Sequence, residues 1–130
     1  MKKNFEFDFR VTKKDIDHLN HVNNVVYVHW VMEAADKHWR FLSTAKMNDS
    51  YVWVVLRHEI DYMASAKLND KITINTWVEN SLGVKSERVV EIKIGGKLIA
   101  KAVTMWCLLN KETMKPVKMP SEIIELFTSN

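Results

Sequence analysis

From Phe5 to Val11 apolar and polar residues alternate without a break, with Phe5, Phe7, Phe9 and Val11 on one side and Glu6, Asp8 and Arg10 on the other. That period of two predicts a strand with one buried face. The pattern stops at Thr12-Lys13-Lys14-Asp15, and residues 25–42 then predict a helix of about five turns. In it His29, Glu33, Asp36, Lys37 and Arg40 form one polar stripe, while Val28, Trp30, Val31, Met32, Ala34, Ala35, Trp39 and Phe41 cover the rest. A helix so apolar is expected to be enclosed on most sides. Past a polar link at Lys46 to Ser50, strands are predicted over 51–62, 72–78, 84–94 and 98–109, the last two joined by a tight turn at Gly95-Gly96. Met119-Pro120-Ser121-Glu122 opens a short closing helix with Pro near its start.

The order is strand, long helix, four strands, short helix, and the later strands follow one another as hairpins. This predicts one α+β domain over residues 1–130, with a curved antiparallel five-stranded sheet wrapped around one long central helix. A flat sheet would leave much of that helix wet. Composition agrees with a globular chain: 47% of the 130 residues are hydrophobic, 27% are charged, and three Gly and two Pro leave little room for long loops. The net charge of +3 is spread along the chain without a dense basic block, so no nucleic-acid partner is expected. No apolar run approaches the roughly 18–20 residues a membrane-spanning helix needs, so no membrane partner is expected either. The single Cys107 cannot form an internal disulfide and the start Met1-Lys2-Lys3-Asn4-Phe5 lacks an apolar leader core, so a cytoplasmic location is expected. Cys107 itself lies in an apolar strand and reads as a small core hydrophobe.

Chemistry concentrates in residues 15–24, where two acids, two histidines and three amide side chains precede the long helix. Carboxylate, imidazole and unclaimed helix amides can converge there on one ligand. Asp17 also suits a capping role. His18 and His21, beside Asp15 and Asp17, precede the helix and lack the i,i+4 spacing of a helical His-x-x-x-His metal site, so no metal is expected. His29 and Glu33 do have i,i+4 spacing, which suits a second acid-base pair, but they read first as a hydrogen-bonded polar stripe at a subunit boundary.

The pattern Asp15-x-Asp17-x-x-x-His21-Val22-Asn23-Asn24-x-x-Tyr27, followed by Glu33 on the helix, resembles the signature of hotdog-fold acyl-CoA and acyl-carrier-protein thioesterases of the 4-hydroxybenzoyl-CoA thioesterase type. The likeness continues through His58 to Asp70 and through Lys111 to Pro120. It implies the hotdog fold and hydrolysis of an acyl thioester of coenzyme A or acyl-carrier protein, without metal or organic cofactor. It also implies Asp17 as the catalytic carboxylate, acting as general base or as nucleophile, and the Asn24 backbone amide as oxyanion donor. His21 and Asn23 would orient the carboxylate, the water or the thioester. Tyr27, Arg57, Lys85, Ser86 and Arg88 are the candidates for substrate contact; Arg57, Lys85 and Arg88, with Lys111, Lys115 and Lys118, have the charge to meet coenzyme A phosphates.

Two positions depart from the pattern. Many bacterial relatives carry Gly where this chain has Asn20, and plant acyl-carrier-protein thioesterases place Asn where Leu19 stands, which removes an Asn-His pair and favours Asp17. Those plant enzymes contain two hotdog halves; a chain supplying one is expected to self-associate as a homodimer or homotetramer. Two other activities fit parts of the pattern: a hotdog dehydratase using His21 with Glu33, and a non-catalytic subunit that binds acyl thioesters.

Overall fold

The alternation at the start of the chain folds as its period dictates. In the computed structural model, which describes residues 2–128, β1 spans Phe5–Arg10, its phenylalanines partly buried and Glu6, Asp8 and Arg10 exposed. After a 3-10 turn at Lys13–Asp15 come α1 (Asn24–Leu42), α2 (Ala45–Ser50), β2 (Tyr51–Tyr62), β3 (Lys71–Leu82), β4 (Lys85–Ile94), β5 (Lys97–Asn110) and α3 (Ser121–Leu126). The strands form one sheet in the order β1-β3-β4-β5-β2, every neighbouring pair antiparallel. Gly95 and Gly96 join β4 to β5 with φ of 56° and 80°, left-handed values that glycine adopts without a Cβ penalty. β2 is an edge strand paired only with β5, and a register shift between Val55 and Arg57 pushes Leu56 outward.

The face of α1 formed by Tyr27, Trp30, Val31, Ala34, Ala35 and His38 is buried. Its N-terminal half packs into a core with Ile72 and Ile74 of β3, Val90 and Ile92 of β4, and Ala100 and Ala102 of β5. A second core gathers Met47, Val78, Leu108, Met119, Ile123 and Phe127, with Trp39, Leu42 and Trp53 against it, so the closing helix packs near the far end of α1.

Three expectations change. The helix is covered on one side only: Val25 is 60% and Phe41 75% exposed, and Met32 also reaches solvent, because a single five-stranded sheet curves around one face of a helix and leaves the other open. Residues 45–50 are a short helix instead of a link. Thr44 caps it by accepting from the Met47 amide at 3.2 Å, and the buried Met47 ties it to the second core. The strand expected to end at Val78 continues to Leu82 past a bulge between Val78 and Asn80. Among the described residues no helix is long and apolar enough to cross a membrane.

Candidate active site

The loop before α1 is closed by an isolated antiparallel bridge between Ile16 and Val22. Inside it the Asp17 amide donates to the His21 carbonyl at 2.9 Å, and the Asn20 amide to the Asp17 carbonyl at 3.1 Å. Asp17 Oδ1 accepts from the amides of Leu19 (2.8 Å) and His21 (3.3 Å), so the carboxylate is clamped on one oxygen by its own turn. Oδ2 has no hydrogen-bond partner among the described residues. Asn20 sits at φ 64°, in the left-handed region that, among side-chain-bearing residues, asparagine tolerates best.

Two further bonds fix the loop on the domain: the Val22 amide donates to the Ala66 carbonyl at 2.9 Å, and the Asn23 amide to the Asp15 carbonyl at 3.0 Å. Asn23 is the N-cap of α1, its Oδ1 accepting from the Val25 amide at 3.0 Å. Asn24 is the first helical residue, so its amide has no intrahelical acceptor, and the positive end of the helix dipole lies there. The Tyr62 hydroxyl donates to the Asn24 carbonyl at 3.3 Å and braces that end from β2.

Asp17, His21, Asn23 and Asn24 thus share one loop-to-helix unit. A half-buried carboxylate with one oxygen held and one unclaimed can take a proton or attack a carbonyl. An unclaimed amide at a helix start can hold the oxyanion that results. Asp15 serves the fold, its Oδ2 accepting from the Thr12 amide and hydroxyl, and His18 is exposed. No cluster of three metal-ligating side chains occurs among the described residues.

The substrate-contact candidates scatter. Tyr27 is fully enclosed; its hydroxyl accepts from the Ala66 amide at 2.9 Å and it meets Trp30 and Tyr62 edge-on. Burial pushes its phenol upward, against the lowering effect of that bond. Arg57 is exposed on β2 and paired with Glu59, and Lys85 is exposed at the β3–β4 turn. Ser86 and Arg88 are buried on β4, where they line a cleft of about 730 Å³ walled by Trp39, Trp53, Trp106 and Phe127. Arg88 is therefore no surface cation.

None of Asp17, His21, Asn23 and Asn24 lines that cleft, which reaches α1 at Met32 and Glu33. Glu33 lies nine residues beyond Asn24, about 14 Å along the axis at 1.5 Å per residue, so one chain does not bring it to His21. It is exposed and 3.8 Å from Lys37.

Arg88 Nη1 donates to His38 Nδ1 at 2.9 Å and to Thr76 Oγ1 at 3.0 Å, and the Thr76 hydroxyl donates to the Val89 carbonyl at 2.8 Å. Burial, then the charges of Arg88 and Lys3, lower the His38 pKa to about 4, so at neutral pH the ring is an uncharged acceptor. Burial likewise lowers Arg88 to about 10, which leaves it a cation. Pattern reading missed His38, although it falls at i+7 from Val31 and i+4 from Ala34, a polar residue inside the apolar stripe.

The family model of the Thioesterase-like superfamily matches residues 11–127. The acyl-CoA thioesterase YbgC of Haemophilus influenzae is 27% identical over 127 residues, covering 95% of this chain and 93% of that protein. The chloroplastic palmitoyl-acyl carrier protein thioesterase of Gossypium hirsutum is 29% identical over 84 residues, 61% of this chain and 20% of the plant protein. The chain spans about a fifth of the length of the plant relatives it matches. The crystal structure of a 1,4-dihydroxy-2-naphthoyl-CoA thioesterase from Synechocystis superposes with a TM-score of 0.82 at 18% identity, covering 95% of each chain. With its five-stranded antiparallel sheet curved about one long helix in the hotdog fold, this chain belongs to the Thioesterase-like superfamily.

Proposed function

We propose that the chain hydrolyses an acyl thioester of coenzyme A or acyl-carrier protein to a free acid and a thiol. The carrying observation is the clamped Asp17 carboxylate, one oxygen unclaimed, in the same closed loop that ends at the unclaimed Asn24 amide. As general base, Asp17 takes a proton from water and the hydroxide adds to the thioester carbonyl. As nucleophile, it adds directly and leaves an anhydride that water cleaves. In both routes the Asn24 amide receives the oxyanion, the C–S bond breaks, and the thiolate leaves and takes up a proton. His21 and Asn23 orient the reacting groups. The route requires neither metal nor organic cofactor.

The match to an acyl-CoA thioesterase over nearly the whole chain supports a coenzyme A carrier, and the partial matches to plant acyl-carrier-protein thioesterases support the second carrier. Self-association as a homodimer or homotetramer is part of the proposal. Leu56 and Tyr62 on the edge strand and Met32 on the open face of α1 are apolar surface that a second copy would cover.

The test is thiol release from a panel of acyl-CoA and acyl-carrier-protein substrates. Wild type should release thiol, and Asp17→Asn should lose at least about 10²-fold in turnover with an unchanged circular dichroism spectrum. Near-normal turnover in Asp17→Asn would overturn the assignment of Asp17. Dehydration of a hydroxyacyl thioester without thiol release would overturn hydrolysis itself.

A further inference from the structure

An arginine only 4% exposed ordinarily sets its guanidinium against a carboxylate, because an uncompensated buried charge is strongly destabilising. Arg88 pairs with none among the described residues. Its Nη1 is spent on His38 and Thr76, both neutral, and its guanidinium carbon lies 6.0 Å from the centre of the Phe127 ring. Nε and Nη2 have no partner among the described residues, and Arg88 lines the 730 Å³ cleft.

Trp106, another wall of the cleft, keeps its Nε1 buried and without an acceptor. The acids on the helix side are already engaged, Glu33 with Lys37 and Asp36 with Arg40. Lys111 at the rim donates to the Asn48 carbonyl. What remains is a pocket of ligand-binding size with aromatic walls and donors that lack acceptors.

We propose that this cleft binds an organic carboxylate, its apolar body between Trp39, Trp53 and Phe127 and its carboxylate on the free Nε and Nη2 of Arg88. Two sources carry that chemistry. One is an acyl group whose far end bears a second acid, since the cleft begins about 12 Å along α1 from Asn24, eight residues at 1.5 Å each. The other is a free carboxylic acid acting as a ligand in its own right. Binding requires no hydrolysis, so the proposal stands apart from the catalytic role of Asp17.

Three tryptophans line the cleft, so intrinsic fluorescence reports its occupancy. The full chain is titrated with 4-phenylbutanoate and with 4-phenylbutan-1-ol, which share a body and differ in the charged end. Wild type should bind the acid at least about tenfold more tightly than the alcohol, the scale of hydrogen bonds to a charged group. Arg88→Met, an apolar replacement of similar length, should bring the acid down to the affinity of the alcohol and leave the alcohol unchanged. Should that variant fail to fold, Arg88→Gln, which keeps a donor for His38 and Thr76 without the charge, should abolish the preference for the acid.

Equal affinity for acid and alcohol in wild type would overturn the proposal, as would an undiminished preference in the folded Arg88→Met or, where that variant does not fold, in Arg88→Gln. Turnover then separates the sources. Faster hydrolysis of an ω-carboxyacyl-CoA than of its uncharged analogue, lost in Arg88→Met, assigns the carboxylate to the acyl tail. Equal hydrolysis of the two, with phenylbutanoate still bound through Arg88, assigns it to a free acid.

Discussion

The loop at residues 15–24 and the cluster around Arg88 each hold a charge, and they do so in opposite ways. Asp17 stands half in water and is steadied by two amides of its own turn, so its charge needs little from the rest of the fold. Arg88 is enclosed, and the groups that meet it come from α1 and β3, 50 and 12 residues away in sequence. Local chemistry can build the first. The second exists only when helix and sheet are packed together, and it couples stability to pH and to whatever fills the cleft.

The sharpest break of this contrast is truncation. Arg88→Ala should lower the unfolding free energy by about 3 kcal/mol, the cavity it leaves and the loss of the bonds to His38 and Thr76 outweighing the relief of a buried charge that meets no carboxylate. Asp17→Asn, in the exposed turn, should change it by less than about 1 kcal/mol. Urea unfolding of both variants checks the pair, and comparable losses would show that the two charges are embedded alike.

Acid should act on the same difference. His38 is 1% exposed and its folded-state pKa of about 4 lies below the ordinary 6.5, so folding favours the neutral ring. Its stabilising contribution is whole above pH 6.5 and is lost as pH falls through 4, about 3 kcal/mol in all at 1.36 kcal/mol per pKa unit. Subtracting the pH–stability curve of His38→Phe from that of wild type isolates this group; parallel curves between pH 6.5 and 4 would contradict its buried, neutral state.

Smaller effects belong to the loop. Asn20→Val should cost about 1–2 kcal/mol, because a β-branched side chain is strained at φ 64°, while Asn20→Gly should be neutral or slightly stabilising in thermal melts. Smallest of all, Asp36→Asn should cost at most about 0.5 kcal/mol in urea unfolding, since its pair with Arg40 is an exposed i,i+4 contact.

Much of the fold was readable from short-range pattern. The alternation of Phe5 to Val11, the turn at Gly95-Gly96 and the periodicity of residues 25–42 each encode an element through the neighbours of a residue along the chain. The 45–50 helix was not readable, because six residues carry too little periodicity and its anchor, Met47, is held by a core assembled from residues 78 to 127. The candidate site divides in the same way. Asp17, His21, Asn23 and Asn24 stand within eight residues, so their shared loop was legible, whereas Arg57, Lys85, Ser86 and Arg88 looked alike as polar residues on strands.

Burial separated them. Lys85 and Arg88 lie three residues apart on one strand, yet one projects into solvent at a turn while the other passes beneath α1 beside His38. Periodicity set where strands and helix run, and the motif set which residues are candidates for the chemistry, because both depend on spacing along the chain. Which face of α1 is covered, that His38 sits uncharged against Arg88, and that a cleft opens beside them depend on distances across the fold, which only the packing of α1 on the sheet determines.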